Sequence, residues 1–184
     1  RHFGRDLEHI VENDELLVIG LNTTHPRRHK DGLVSSSQVR KVADRLQRCA
    51  PDKLRIVVAH QPFGSMEISD LSNLQHGALA ALVRWADHGL DMVMGGHIHL
   101  PYVLPLSNQY PSLSREIWIV QAGTTLSSRV RGSSPNSFNR VLVEPDKQVR
   151  VERWDFNDGE FVLGAHHDLR WPTHPRRDGT TAGS

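Results

Sequence analysis

The 184-residue sequence contains a single cysteine, no long apolar run and no excess of charge of one sign. The lone Cys49 excludes an internal disulfide and a cysteine-based zinc cluster, and its place on the apolar side of a predicted helix favours a small buried thiol. No apolar run approaches the roughly 20 residues that span a bilayer, and the first residues do not resemble a signal peptide. These absences predict a cytoplasmic protein without a membrane partner.

The charge balance excludes a strong electrostatic partner. Twenty-two basic and 21 acidic side chains leave a formal charge of +1, so nucleic acid binding is not indicated. The hydrophobic fraction of 38% and the length fit one domain with a sizeable core. Because the sequence does not begin with Met, we expect it to be part of a longer protein.

The first half of the chain alternates short apolar runs with amphipathic helices. Buried strands are predicted over 15–22, 54–59 and 91–94, and helices over 35–50 and 77–88. Right-handed crossovers between such strands make them parallel and bring their carboxyl ends to one edge of the sheet. The pattern predicts an α/β fold with flanking helices.

The second half predicts strands without helices, over 117–121, 137–144, 148–156 and, as a short strand, 160–163. The turn at 145–147 joins two of them as an antiparallel hairpin. We expect residues 1–168 to form one domain and 169–184 to be a disordered tail, because the end of the chain is rich in Pro, Arg and small residues.

Three histidines follow predicted strands at the same edge of the sheet. His60 comes directly after the second strand, and His97 and His99 follow Gly95 and Gly96 after the third. In an extended segment His97 and His99 point to one side while Ile98 faces the interior, so the imidazoles can converge on a metal ion. The alternative is a polar loop in which each histidine only forms hydrogen bonds.

Two loops border this edge. Residues 23–33 follow the first strand and contain Arg27, Arg28 and Lys30, cations that could contact an anionic substrate or simply be solvated. Residues 65–76 show no clear periodicity, which is typical of a loop beside a site.

Three motifs resemble the calcineurin-like metallophosphoesterases, and within them the branch similar to cyclic-nucleotide phosphodiesterases. These are the strand and histidine of 57–62, the Gly-His-Ile-His of 96–99, and the residues 121–124 together with 137–139. The resemblance covers 15–156. It implies the carboxyl-terminal half of a metallophosphoesterase-type α/β sandwich, with mixed sheets and flanking helices.

The resemblance also implies a dinuclear metal centre. His60 and His97 would bind one ion and His99 the other, and the complete site would hold two divalent ions (Mn, Fe, Zn or Co). Two such ions polarise a phosphoryl group and lower the pKa of a bridging water, so the expected reaction is hydrolysis of a phosphate ester. No catalytic side chain is assigned.

The amino-terminal motifs of the family are absent. The chain contains no Asp-x-His, Gly-Asp-x-x-Asp or Gly-Asn-His segment, and the His-His-Asp of 166–168 is a coincidental match. The first hypothesis is therefore a phosphoesterase completed by a missing amino-terminal half, with one ion or none held by this chain alone. The alternatives are a noncatalytic binding module, and a mononuclear hydrolase with His60, His97 and His99 around one zinc ion.

Overall fold

The computed structural model describes residues 7–24, 32–144 and 148–170. Within these ranges the chain forms nine strands, two α-helices and 3-10 helices at Ile68–Asn73 and Leu106–Asn108. In chain order the strands and α-helices are β1 (Ile10–Glu12), β2 (Leu16–Gly20), α1 (Ser36–Gln47), β3 (Leu54–Val58), α2 (Ala78–Asp87), β4 (Met92–Gly95), β5 (Tyr102–Pro105), β6 (Trp118–Gln121), β7 (Ser137–Val143), β8 (Gln148–Asn157) and β9 (Glu160–Arg170).

The larger sheet has the strand order β1-β2-β3-β4-β6-β5. Its central strands β2, β3, β4 and β6 are parallel, and the edge strands β1 and β5 are antiparallel to their neighbours. The predicted α/β fold is confirmed, with α1 and α2 as the crossovers between parallel strands. The sequence did not predict β5, nor the position of β6 beside β4.

Both helices pack on one face of this sheet. Ser35 caps α1, because its hydroxyl accepts a hydrogen bond from the Gln38 amide while the Gln38 side chain accepts one from the Ser35 amide. The buried residues of the helices then follow the helical period and contact apolar side chains of β2, β3, β4 and β6 in one core; on the helices they include Val42, Ala43, Leu46, Ala81, Leu82 and Trp85. Cys49 is a buried free thiol, as predicted.

A second, antiparallel sheet of order β7-β8-β9 covers the other face. Val149 and Val151 of β8 and Leu169 of β9 share a buried cluster with the apolar side chains of β3, β4 and β6. The helices, the larger sheet and this smaller sheet therefore form three layers. Strand β9 is longer than the predicted 160–163 and includes residues 169 and 170 of the expected tail, because it pairs along all of β8. Residues 171–184 lie outside the described ranges.

Arg55 closes the end of the sheet at which the parallel strands begin. Its guanidinium donates to the Cys49 and Ala50 carbonyls beyond α1, both at 3.1 Å, and to the His88 and Gly89 carbonyls beyond α2, at 3.4 and 3.2 Å. Carbonyls at and just beyond helix ends lack intrahelical partners, and one buried cation here donates to two such carbonyls next to each helix.

Asp91 completes this arrangement immediately before β4. One carboxylate oxygen accepts from the Arg55 amide at 2.9 Å and the other from Arg115 Nη2 at 2.6 Å. Burial raises the pKa of Asp91 to about 6, against opposing effects of Arg115 and the Arg55 amide. The start of the parallel strands is thus a closed polar cluster.

Candidate metal centre

His60 and His97 occupy equivalent places on neighbouring parallel strands. His60 lies two residues beyond β3 and His97 two residues beyond β4, and the Gly96 amide donates to the His60 carbonyl at 3.0 Å. His97 Nδ1 lies 3.1 Å from His60 Nε2, and the rings meet edge to face with centroids 4.9 Å apart. The fold therefore brings two of the three predicted histidines into direct contact.

The backbone reaches this geometry by a turn, and the predicted extended alternation is wrong. His97 and His99 have φ angles of 71° and 58°, in the left-handed region, and the Ile98 amide donates to the Gly96 carbonyl at 2.8 Å. Left-handed backbone costs a residue with a side chain about 1 to 2 kcal/mol, which the surrounding structure must offset. Ile98 still packs into the core, as predicted.

Gly95 gives room for a buried amide beneath the histidines. Gln121 is its partner in the β4–β6 register, and its Nε2 donates to the Gly96 carbonyl. A Cβ built on Gly95 would lie 2.7 Å from Gln121 Oε1, whereas one on Gly96 would meet nothing nearer than the His60 carbonyl at 4.0 Å. Steric crowding therefore requires glycine at position 95 but not at position 96. The sequence analysis placed Gln121 in a motif but did not connect it with Gly95, because the pairing of β6 with β4 was not predicted.

His99 is held by a different contact. Its Nδ1 lies 2.7 Å from the Arg129 carbonyl oxygen. Because a carbonyl can only accept, Nδ1 carries the proton and Nε2 carries the lone pair. Metal-binding histidines typically show this pattern, in which one ring nitrogen donates to a carbonyl and the other is free to bind the ion.

The electrostatics of the site favour a neutral His60. Desolvation lowers the pKa of His60, and the positive charges that His97 and His99 acquire on protonation lower it further. A neutral imidazole is the form that binds a metal ion.

The distance within the histidine pair is close to that between two ligands of one ion, but the described residues do not form a complete site. Two nitrogens about 2.1 Å from a tetrahedral zinc ion lie about 3.4 Å from each other, close to the 3.1 Å found here. Within 7–24, 32–144 and 148–170, however, no group of three or more His, Cys, Asp or Glu side chains is arranged to hold a metal. His99 is thus placed near the pair without joining it in one cluster.

Of the two loops predicted to border the site, the structure describes 65–76 in full and 23–33 only in part. Arg27, Arg28 and Lys30 lie outside the described residues. Residues 65–76 contain the 3-10 helix Ile68–Asn73, whose Asp70 is fully buried. A basic residue of another loop, Arg131, reaches that carboxylate.

Comparison with known proteins supports the fold. No family model and no curated protein sequence matches the chain. Among solved structures it is similar to GAP50, the anchor in the inner membrane complex of Plasmodium, with a TM-score of 0.57 and 16% identity over 84% of this chain and 49% of GAP50. It also matches a putative 5'-nucleotidase from Staphylococcus aureus, with a TM-score of 0.39 and 14% identity over 91% of this chain and 30% of that one.

The chain therefore shares the fold of the matched half of GAP50. An identity of 16% shows the fold alone, and the TM-score of 0.39 for the second structure is too low to add to this comparison. The chain spans about half the length of GAP50.

In the part of the chain that the structure describes, neither helix has the length and apolar character needed to cross a membrane. The cytoplasmic location stays a prediction.

Proposed function

We propose that the complete protein is a metal-dependent phosphoesterase, and that this chain provides the carboxyl-terminal part of its metal centre. The observation that supports the proposal is the 3.1 Å contact of His97 Nδ1 with His60 Nε2 at the carboxyl ends of two neighbouring parallel strands. Ligand sites in open parallel sheets lie at this edge.

The residues present have distinct parts in the proposed centre. His60 and His97 would hold one ion and His99, through Nε2, a second. Bound divalent ions (Mn, Fe, Zn or Co) would polarise a phosphoryl group and lower the pKa of a bound water. The lowered pKa of His60 keeps that imidazole unprotonated, and the Arg129 carbonyl holds the proton of His99 on Nδ1.

The substrate class follows from the same proposal. A phosphate ester, either a diester or a monoester, is the substrate that such a centre takes, and we propose that it is hydrolysed in the cytoplasm. Arg27 and Arg28 are proposed to contact its phosphate, since they follow β2, the strand next to β3. The carboxylates that a dinuclear centre requires would come from a missing amino-terminal half.

Zinc titration of the 184-residue chain, followed by calorimetry, tests the metal assignment. We expect one bound ion for the wild type, none for His97→Ala, and one for the control His166→Ala, whose histidine lies exposed on β9. Unchanged stoichiometry in His97→Ala would reject the assignment.

A hydrolysis assay tests the proposed division of the site. A protein that adds the Asp-x-His, Gly-Asp-x-x-Asp and Gly-Asn-His segments, in trans or fused before Arg1, should hydrolyse a generic aryl phosphate ester in a metal-dependent way. The chain alone should not. Robust hydrolysis by the chain alone would instead support a mononuclear site.

A noncatalytic binding module is the second candidate. The observation in its favour is that the described residues bring no three metal-binding side chains together. Absence of zinc binding by the wild type, with inactivity of the completed protein, would establish this alternative.

A further inference from the structure

The residues from Thr124 to Ser137 form a closed surface loop, here called the site loop. The Ser137 amide donates to the Thr124 carbonyl at 2.8 Å and so joins the two ends. Ser127 organises the interior: its amide donates to Thr124 Oγ1 at 3.2 Å, its hydroxyl accepts from the Arg129 amide at 3.0 Å, and its carbonyl accepts from Asn136 Nδ2 at 3.0 Å. The backbone at Arg129 is therefore held from within the loop.

This backbone reaches the metal-site histidine. The Arg129 carbonyl accepts the proton of His99 Nδ1 at 2.7 Å, while the Arg129 side chain is exposed. A neutral histidine in water prefers its proton on Nε2, so the bond to the carbonyl selects the less common form. The position of one carbonyl thus decides which nitrogen of His99 has a free lone pair.

Two residues further along, the site loop is anchored to a buried charge. Arg131 Nη1 donates to Asp70 Oδ1, and Arg131 Nη2 lies 3.3 Å from Ser69 Oγ and 3.4 Å from Glu67 Oε2. Asp70 is fully buried, and apart from Arg131 its side chain accepts from Asn73 Nδ2 at 3.1 Å. A buried carboxylate requires a cation, so Arg131 has one strongly preferred position.

We propose that the Asp70–Arg131 ion pair positions His99, by fixing the Arg129 carbonyl that holds the Nδ1–H form of its imidazole. The pair joins segments 61 residues apart and aligns the site loop with the 3-10 helix beside the site. Arg131 and Asp70 are positioning residues, since they act on His99 through the loop. The consequence for metal binding rests on the proposed function, whereas the effect on the His99 proton does not.

The test observes the proton directly. Nitrogen-15 NMR of the imidazoles, on the metal-free 184-residue chain about two pH units above the ordinary histidine pKa of 6.5, distinguishes the two neutral forms. We expect Nδ1–H at His99 in the wild type and a shift to mainly Nε2–H in Arg131→Gln. In the complete centre, affinity for the second ion, which His99 would hold, should then fall about 10- to 100-fold, the usual cost of losing the partner that orients a ligand. Zinc binding by His60 and His97 should be unchanged.

Two variants separate positioning from general destabilisation. Arg131→Lys keeps the charge and should retain more Nδ1–H than Arg131→Gln. Asp70→Asn/Arg131→Gln leaves no buried unpaired charge, so it should fold even where the single variant does not, and it should also lose the Nδ1–H form. The control Arg150→Gln, at an exposed pair with Asp168 on the smaller sheet, should leave His99 unchanged.

The outcomes distinguish this proposal from the proposed function. A shift of the His99 proton in the Arg131 variants without zinc binding by any of the proteins supports the positioning role and rejects the metal role. Retention of Nδ1–H at His99 in both Arg131→Gln and the double variant would overturn the positioning role, whatever the zinc affinity.

Discussion

Polar groups are buried and hydrogen-bonded at one end of the parallel strands, whereas the histidines at the other end are exposed or only partly buried. Where the strands begin, Arg55 donates to four helix-end carbonyls and Asp91 accepts from the Arg55 amide and from Arg115. Where they end, His60 is exposed, and two histidines occupy left-handed backbone. The first end is a closed hydrogen-bonding cluster, and the second presents imidazole nitrogens to the outside.

This difference separates stability from function within one sheet. Buried polar groups whose hydrogen bonds are made within the fold hold its elements together and offer nothing to a ligand. Strained backbone and accessible lone pairs weaken the fold slightly and are characteristic of sites. Substitutions at the two ends should therefore affect different measurements.

The largest loss of stability is expected for Arg55→Met. Removing the guanidinium leaves four carbonyls next to the helix ends without their donor, and each buried acceptor left unsatisfied costs about 1 to 3 kcal/mol. Urea unfolding measures the free energy. The matched control Arg150→Met, at an exposed ion pair, should change it little. Equal effects of the two substitutions would contradict the contrast between buried and exposed cations.

Asp91 should make stability decrease as pH rises. Its pKa is about 6 in the fold and 3.8 ordinarily, so the folded state binds the proton more tightly. This contribution is fully present below about pH 4, disappears between about pH 4 and 6, and amounts to up to about 3 kcal/mol. Unfolding curves across this range should show that Asp91→Asn removes that part of the pH dependence. An identical slope in wild type and variant would show that the carboxylate stays ionised.

Gly95→Ala tests the packing beneath the histidines. The new methyl group would lie 2.7 Å from Gln121 Oε1 and must displace a buried side chain, so we expect a loss of about 1 to 3 kcal/mol. Gly96→Ala is the control, because its nearest contact is at 4.0 Å. Thermal and urea unfolding compare the two. A larger loss for Gly96→Ala would reverse the assignment of the required glycine.

The smallest effect concerns the left-handed backbone. His97→Gly should be about 1 kcal/mol more stable than His97→Ala, because glycine adopts a φ of 71° without strain. At His60, where φ is not positive, alanine should be at least as stable as glycine. Urea unfolding measures which of the two variants is more stable at each position. The same order at both positions would show that the strain at His97 is unimportant.

Much of the fold could be predicted because the signals are local. The apolar runs of β2, β3 and β4, and the serine cap and helical period of α1, each lie in one continuous segment. The neighbour of β6 could not be predicted, because a four-residue apolar strand does not specify its partner. For the same reason Gln121 was not connected with Gly95.

The site was predictable only in outline. The crossovers place His60 and His97 at one edge, and the structure brings those rings together. The local geometry was wrong because the extended backbone was assumed to continue past Gly96, where a turn begins. The Asp70–Arg131 pair joins residues 61 apart and leaves no pattern in the sequence that could reveal it.

The most direct test of the central claim is to add zinc to the nitrogen-15-labelled chain and follow the imidazole signals of all 12 histidines. The account predicts that His60 and His97 shift first and together, that any later shift of His99 affects Nε2 and not Nδ1, and that exposed histidines such as His166 stay unchanged. Equal, weak shifts spread over the histidines, or binding that leaves His60 and His97 unaffected, would contradict it.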